Sequence, residues 1–495
     1  MYVKARATDF VIYPYTEGMC KSLEALLTSY EEIMPNAKLR EMSKKEFYRF
    51  DDRRHKLHVP KCVGFKVIEH HLGNSNINCQ MVNGSDELII PKQAHRLTLA
   101  DGIGPKDEIQ KEAIDFVLGR GEHENLANRS QKLIELATGY GKTFVTIAAS
   151  CALQQRTIVV CPIGSVSKQW VDAFHKFTNV PRKRIKLIEG VKNFMYEGLK
   201  RKINHDVWII SLTTAKILAE ENPGVFSDIM HNFGPGLFVR DECHMHIKAI
   251  IQLDTNVSCA RNLYLSATAK RDSSFEDKVF QKVFEKMPRY GINTHYLNPF
   301  LNIVAIYHEL AFPEKLEKKM YTFKKFFRRD GYAATFLKHK RKEYEALLFR
   351  VTDPLFKIMQ PDRKVSIFLG QIEEIDEICE LLQKRHPNMV IKPYHSKMTN
   401  KKEKEESLGA GVIVTTAGSL GTGSDVKGLK YQLDFYPTGG DGKTIQRAGR
   451  TREIDGEEVY YVLIYNTAIA YFRRACESHK DLFANRIKSW TEKYY

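Results

Sequence analysis

Lys132-Leu133-Ile134-Glu135-Leu136-Ala137-Thr138-Gly139-Tyr140-Gly141-Lys142-Thr143 runs from a short apolar segment into a glycine-containing loop, and the helix-forming stretch Phe144–Leu153 follows. A strand that enters a helix through such a loop is the context in which Gly-Lys-Thr becomes a phosphate site. Gly139 and Gly141 let backbone N–H groups approach phosphate oxygens, and the helix start adds a favourable dipole. Lys142 is placed to reach β- and γ-phosphates and Thr143 to hold Mg2+, with Thr138 and Tyr140 completing the loop. One residue departs from G-x-x-x-x-G-K-[ST]: Leu136 stands at the first glycine position.

Farther along, the apolar segment Leu237-Phe238-Val239-Arg240 ends in Asp241-Glu242-Cys243-His244. Asp241 suits Mg2+ binding through water, and Glu242 suits orienting or deprotonating an attacking water. Adjacent acids also end strands for no catalytic reason, but the two segments together read as an NTPase. Arg240 is unusual at a position expected to be apolar. His244 and His246 lack further spaced ligands and do not read as a zinc site.

Around these two segments, short Val/Ile/Leu-rich runs alternate with longer amphipathic stretches. One set is Lys132–Ala137, Thr157–Pro162, Val207–Leu212, Leu237–Glu242 and Asn262–Ala267; a second is Val365–Gly370, Met389–His395, Gly411–Ala417, Tyr431–Pro437 and Val459–Tyr465. Near-continuous apolar runs with helical segments between them predict parallel strands covered on both faces, hence two α/β domains. Residues 1 to about 95 read instead as a small α+β domain, with a helix over Lys21–Ile33, a basic segment Lys44–Lys56 and β-like pieces near Val59–Ile68.

The whole chain has 495 residues, enough for roughly three domains. Hydrophobic residues make up 43% of it, which excludes wholesale disorder. No apolar run reaches the length of about 18 residues that a membrane-spanning helix needs, and Met1–Tyr15 lacks the apolar core of a signal peptide. The nine cysteines are scattered without a C-x-x-C pair, the usage expected in a reducing cytoplasm, or a host's cytoplasm for a viral protein. A net charge of +16 suggests a polyanionic partner and says nothing about fold.

Asp241-Glu242-Cys243-His244, with Ser266-Ala267-Thr268 downstream, resembles the superfamily 2 helicases and translocases. The other motifs follow in order. Gln110 resembles the upstream glutamine that recognises adenine; Cys161-Pro162-Ile163-Gly164 with Gln169-Trp170 resembles motif Ia, and Ser211-Leu212-Thr213-Thr214 motif Ib. Phe368-Leu369-Gly370 resembles motif IV, Thr415-Thr416 through Gly423 and Asp425 motif V, and Gln446-Arg447-Ala448-Gly449-Arg450-Thr451-Arg452 motif VI.

The resemblance covers about residues 100–465 and implies two tandem RecA-like parallel-sheet domains, with a small α+β N-terminal domain and a basic helical insert. It implies ATP and Mg2+ as cofactors, catalysis by Lys142, Asp241, Glu242, Gln446, Arg447 and Arg450, and nucleotide contacts that include Gly423 and Asp425. Pro162, Gln169, Ser211, Thr213, Thr214, Gly370, Thr415 and Thr416 would contact the nucleic-acid strand, while Ser266 and Thr268 would couple the two sites. Motif VI departs from the family at Glu453, where an arginine is usual; either Arg452 substitutes for it or Arg450 acts with Arg447.

The N-terminal domain, the Leu136 loop and Asp-Glu-Cys-His together look like the bacteriophage UvsW-type helicases that remodel branched DNA, with XPB-type and poxvirus transcript-release helicases as relatives. The implied activity is 3′→5′ translocation on branched or forked DNA in replication, recombination or repair, by a monomer with no membrane partner. An RNA-directed ATPase is the rival.

The expected boundaries are 1–95, 96–300 for the first RecA-like domain, 301–355 for the insert, 356–475 for the second, and 476–495 for a terminal helix. Pro313–Arg350 carries twelve Lys or Arg against five Asp or Glu. Lys324, Lys325, Arg328, Arg329, Lys338, Lys340 and Arg341, interleaved with Phe and Tyr, suit a groove that neutralises phosphates and stacks on bases. The same pattern also suits a solvated helix with aromatics packed inward. In the first 95 residues, Lys44, Lys45, Arg49, Arg53, Arg54 and Lys56 favour a duplex-binding module over a structural cap.

Overall fold

The structure is a computed structural model that describes the chain apart from residues 33–41, 85–87, 137–139, 163, 268–283, 285–286, 292–297, 323–326, 421–425, 438–443, 445–446, 450, 452–453, 455 and 485–486. The chain forms two compact units, one of Met1–Leu136 with Tyr140–Ile292 and another that spans residues 293–495.

At the centre of the first unit is a seven-stranded sheet in the order Ile185–Ile188, Val207–Ser211, Thr157–Cys161, Leu237–Arg240, Asn262–Ser266, Gln131–Glu135, Arg289–Gly291. Every pairing in it is parallel. Strand residues alternate between two cores: Ile158, Val160 and Phe238 pack on one face, Val159, Cys161 and Val239 on the other. Burial on both faces is why these runs are almost continuously apolar. Five strands match the predicted set, while the edge strands Ile185–Ile188 and Arg289–Gly291 were not predicted.

The N-terminal domain carries a five-stranded sheet in the order Arg49–Asp51, Lys56–Pro60, Asp9–Tyr13, Tyr2–Ala5, Gln80–Asn83. Two expectations change here. The helix is only Lys21–Leu26, and Thr28–Glu32 is a strand paired antiparallel with Met42–Glu46; the β-branched and aromatic side chains of Thr28 and Tyr30 favour a strand. The β-like stretch ends at Pro60, and Phe65–Asn74 is a helix that buries Ile68 and Leu72, four residues apart on one face.

This domain is fastened to the first large sheet's domain by a buried polar network. Arg6 grips Asp9 with two hydrogen bonds of 2.7 and 2.9 Å and donates to the Thr255 carbonyl at 2.8 Å. Thr8 Oγ1 donates to the Asp254 carbonyl at 2.7 Å. His58 bridges Asp9 (2.9 Å) and Arg49 (2.8 Å), and Arg49 Nε reaches Thr255 Oγ1 at 3.2 Å. Burial pushes His58 down to about 4, so a neutral ring donates through Nδ1 and accepts through Nε2. Arg49 is therefore a fastening residue in this structure.

The second unit also holds a seven-stranded, all-parallel sheet, ordered Ile391–Tyr394, Val412–Thr416, Lys364–Leu369, Leu429–Asp434, Val459–Asn466, Asn298–His308, Ile487–Tyr494. Two predicted boundaries are corrected. Asn298–His308 belongs to this sheet, so the expected break at residue 300 cuts a strand. The expected terminal helix 476–495 is the end of the helix Ala470–Phe483 followed by the edge strand Ile487–Tyr494. Ile487, Trp490, Thr491 and Tyr494 are strand formers, and the charged residues Lys488, Glu492 and Lys493 blunt the open edge.

The basic stretch contributes the helices Arg329–His339 and Arg341–Ile358. Its described aromatics point inward: Phe336 meets Tyr344 edge-on at 5.0 Å, Tyr332 meets Phe336 at 5.6 Å, and Phe327 stacks on Tyr471 at 4.1 Å. Tyr332 also packs against Tyr436, 5.8 Å away at the end of a sheet strand. Tyr332, Phe336 and Tyr344 are core, so the stacking role is corrected for these three, while Phe327 is half-buried.

Candidate nucleotide site and nucleic-acid contacts

Gly141 precedes the helix Lys142–Leu153 with φ +85°, and no side chain caps that helix start. The left-handed φ at this position is what favours glycine, and a Cβ there would also displace the Gln110 side-chain amide, 2.3 Å away. Gln110 Nε2 donates to the Tyr140 carbonyl at 3.2 Å and Gln110 Oε1 accepts from Lys106 N at 3.0 Å. The glutamine singled out from the sequence thus lies against the phosphate loop. Lys142 Nζ donates 2.7 Å to the carbonyl of Leu136. Leu136 contributes a buried core side chain and this carbonyl, which explains how a leucine serves where glycine is usual. Thr143 follows in the first helical turn, half-buried; Thr138 and Gly139 lie outside the described residues.

Asp241 emerges from the end of Leu237–Arg240, its N–H bonded to the Val160 carbonyl at 2.9 Å. Its Oδ2 accepts from Trp170 Nε1 at 2.7 Å and its Oδ1 from Glu242 N at 3.0 Å. Burial and the Glu242 carboxylate push the Asp241 carboxyl up to about 6, against the opposing pull of Trp170 and Lys142. Glu242 has φ +45°, a left-handed conformation that costs a non-glycine residue about 1 kcal/mol or more. His244 Nδ1 lies 3.1 Å from Glu242 Oε2 and 3.0 Å from Ser266 Oγ, linking the acidic pair to the end of the next strand. Hard carboxylate and hydroxyl oxygens of Asp241, Glu242 and Thr143 are the donor type that Mg2+ takes, and a dication would relieve the repulsion between the two acids.

Trp170 was read only as part of a motif beside Gln169. In the structure Gln169 is exposed, whereas Trp170 is 2% exposed and holds Asp241. The available signal was that a buried indole N–H needs an acceptor. Trp170→Phe keeps the ring and removes that donor. A charge-assisted hydrogen bond contributes about 1.5–3 kcal/mol, so kcat/KM for ATP hydrolysis should fall by about tenfold or more. Steady-state ATPase kinetics on the two proteins check it, and an unchanged kcat/KM would make the contact a packing detail.

The remaining predicted residues divide into those that face solvent and those that do not. Ser211 Oγ accepts from Thr214 N (3.1 Å) and donates to Thr214 Oγ1 (2.9 Å), capping the helix Leu212–Glu221, while Thr213 is exposed beside them. Pro162 is buried just past a strand end, and Ser266 is buried against His244. Thr415 is wholly inside the second sheet with its hydroxyl on the Thr416 carbonyl at 3.3 Å, so its expected role as a strand contact is corrected; Thr416 shares a hydrogen bond of 2.9 Å with Ser419. Arg447, 3% exposed, donates to Asp434, which also accepts from Tyr461 at 3.0 Å. A guanidinium held this way anchors its own domain, and the expected γ-phosphate contact is corrected for Arg447.

Arg328 is exposed and paired with Asp330, Arg329 is half-buried, Lys338 is exposed, and Lys340 and Arg341 pair with Glu343 and with Glu345 and Glu377. Thr268, Lys324, Lys325, Gly423, Asp425, Gln446 and Arg450 lie outside the described residues.

Gly370, at the end of the strand Lys364–Leu369, is held by an acid that sequence reading missed. Glu374 accepts from Gly370 N (2.9 Å), Gln371 N (3.1 Å) and Tyr436 OH (2.9 Å), and a Cβ at Gly370 would lie 2.7 Å from Ala333 Cβ. Burial raises the Glu374 carboxyl from 4.5 to about 7, outweighing these hydrogen bonds. The folded state therefore holds this proton more tightly than the unfolded chain. Its contribution is complete below the unfolded pKa and is lost as pH rises to the folded one, a span worth about 3 kcal/mol. Urea unfolding midpoints of the second unit should decline between pH 4.5 and about 7 in the native protein. In Glu374→Gln that part of the decline should disappear; identical profiles would refute it.

Comparison with known proteins agrees with this geometry. Residues 105–271 match the family model described as "Type III restriction enzyme, res subunit". The "DNA 3'-5' helicase XPB" of Kineococcus radiotolerans is 24% identical over 196 residues, 39% of this chain and 31% of that protein. The chain thus spans about a third of the relative's length. Among solved structures, S. cerevisiae Dbp5 bound to RNA and ADP BeF3 superposes with a TM-score of 0.54 at 14% identity, over 78% of this chain and 89% of that one, which establishes a shared fold. The crystal structure of T4 UvsW aligns over 100% and 99% of the two chains at 14% identity with a TM-score of 0.37, too low to establish more. The first unit is thus similar to that family model over residues 105–271, and the two parallel-sheet α/β domains share the RecA-like fold.

Proposed function

We propose that this chain is an ATP-dependent DNA helicase or translocase that moves 3′→5′ and remodels branched or forked DNA. The observation that carries the ATPase part is the convergence, at the ends of neighbouring parallel strands, of Lys142, Asp241 with Glu242, and the His244–Ser266 pair. Ligands of such sheets bind at these strand ends. The name of the bacterial relative supports DNA and the 3′→5′ direction, and the motif resemblance supports a branched substrate.

Bound ATP with Mg2+ supplies a γ-phosphoryl group open to attack by water. Thr143 and Asp241 would hold the cation, and Lys142 would exchange the Leu136 carbonyl for phosphate oxygens. Glu242 would orient the attacking water, and the link through His244 to Ser266 would carry the state of the acids to the strand end. Thr213, exposed beside the Ser211 cap, suits a phosphate contact that reads no base.

An ATPase assay with single-stranded DNA, duplex, forked DNA, four-way junction and RNA as activators tests the reading. Forked or four-way DNA should stimulate turnover most. Stimulation by RNA and not by DNA would overturn it in favour of an RNA-directed ATPase.

A further inference from the structure

Within the first unit, between the N-terminal domain and the domain of the large sheet, lies a cleft of about 690 Å3. Arg53, Arg54 and Lys56 line it from one side, and Gly224, Val225 and Ser258 from the other. We propose that this cleft is a second phosphate-binding site, separate from the nucleotide loop, that holds the backbone of a nucleic-acid strand. The proposal rests on the reading of the chain as a nucleic-acid-dependent ATPase and gives that strand a second place to bind.

Three observations meet here. First, Arg53 and Lys56 have no carboxylate partner among the described residues, and Arg54 is only loosely placed, 4.0 Å from Asp51. Second, the helix Pro223–Phe233 begins at the cleft without a side-chain cap, and a first helical turn leaves backbone N–H groups unspent. Third, Ser258 is 5% exposed, yet its hydroxyl has no hydrogen-bond partner among the described residues. A buried hydroxyl in that state is costly unless something supplies an acceptor or donor. A phosphodiester does so: its oxygens accept from a hydroxyl, from helix N–H groups and from Arg or Lys together. Asp51 lies on the Arg53–Lys56 side too, where Arg53, Arg54 and Lys56 outnumber it, and Glu221 and Asp228 border the cleft from the other.

The position separates this cleft from the motif loops. Lys142, Ser211, Asp241 and Ser266 stand at the ends of parallel strands. Ser258 instead precedes the start of Asn262–Ser266, and Pro223 follows the far end of the helix that Ser211 caps. A nucleic-acid strand in this cleft therefore lies at the opposite end of the sheet's strands from the motif loops. Thr255, on the wall of the same cleft, is also the residue that Arg6 and Arg49 fasten, so occupancy would be felt by the joint between the two domains.

Full-length protein and an Arg53→Ala/Lys56→Ala variant would be compared by fluorescence anisotropy on labelled single-stranded and forked DNA across a salt series. Losing two phosphate contacts should reduce the slope of log affinity against log salt by about 2. An Arg53→Lys/Lys56→Arg variant, which keeps both charges, should restore the native slope, and matching unfolding profiles show that all three proteins are folded. Native binding with an unaltered slope in the alanine variant would overturn the cleft alone. Absence of any nucleic-acid binding by the native chain would overturn the functional reading with it. Calorimetry with inorganic phosphate and with ATP on Lys142→Ala protein distinguishes the source: if the cleft substitutions abolish that binding and leave the DNA slope intact, the cleft takes a free phosphate compound and the proposal fails.

Discussion

Lys142→Ala should lower the kcat/KM for ATP hydrolysis by about a hundred- to a thousandfold, the loss seen when one preorganised donor to developing negative charge is removed. Lys142 is buried at the start of its helix, and Nζ is held 2.7 Å from the Leu136 carbonyl. A neutral carbonyl is a weaker partner for an ammonium than a phosphate oxygen, so the side chain is poised to exchange one for the other. Its charge also pulls the Asp241 carboxyl down against burial and the neighbouring Glu242. Removing it therefore takes away a phosphate contact and leaves Asp241 less readily ionised. Lys142→Arg keeps the charge on a wider fork that does not fit the loop, and it should rescue little. ATPase kinetics at saturating forked DNA, with nucleotide affinity measured separately, check the expectation. Hydrolysis by Lys142→Ala at the native rate would remove the nucleotide site from this loop.

The interior of both sheets was legible because a strand buried on both faces has to be apolar along its length, as in Thr157–Cys161 or Val412–Thr416. Edge strands escape that rule. Ile185–Ile188 follows a basic turn, and Ile487–Tyr494 has only exposed and half-buried residues, three of them charged. Strand Asn298–His308 is apolar enough to see, but nothing in chain order says which sheet it joins.

Motif spacing singled out Lys142, Asp241 and Glu242, and the structure sets all three at the ends of neighbouring parallel strands. It failed for Thr415 and Arg447, whose residue types match a motif while their side chains are used inside the domain. It also could not show Trp170 or Glu374, whose parts depend on which segment the fold brings opposite them.

Arg240 is the other residue that departs from expectation, and its replacement should give the largest loss of stability. It is 1% exposed, and it donates to the Phe238 carbonyl (3.0 Å), Asn262 Oδ1 (2.9 Å) and Asp254, with its guanidinium 4.1 Å from the Phe238 ring centroid and 4.8 Å from that of Tyr264. Asp254 in turn accepts from Tyr264 OH at 2.7 Å, and its carbonyl takes the Thr8 hydroxyl of the N-terminal domain. Arg240→Met fills much of the same space but leaves Asp254 buried without its cation, a change that costs about 3–5 kcal/mol.

The sign with pH follows from the same geometry. Burial already raises the Asp254 carboxyl, and Arg240 opposes that shift. Without Arg240 the carboxyl rises further, so the variant's deficit should be greatest at neutral pH and shrink as pH falls and Asp254 takes up a proton. Arg240→Met/Asp254→Asn removes both charges and should recover most of the loss, because what destabilises is the unpaired ion. Of the three tryptophans, Trp170 and Trp208 lie in the first unit, so denaturant unfolding followed by tryptophan fluorescence reports mainly on it. A deficit that does not vary with pH, or a double variant no more stable than the single one, would mean that Arg240 contributes through packing. The charge pair would then not be what ties the strand leading to Asp241 to the seat of the N-terminal domain.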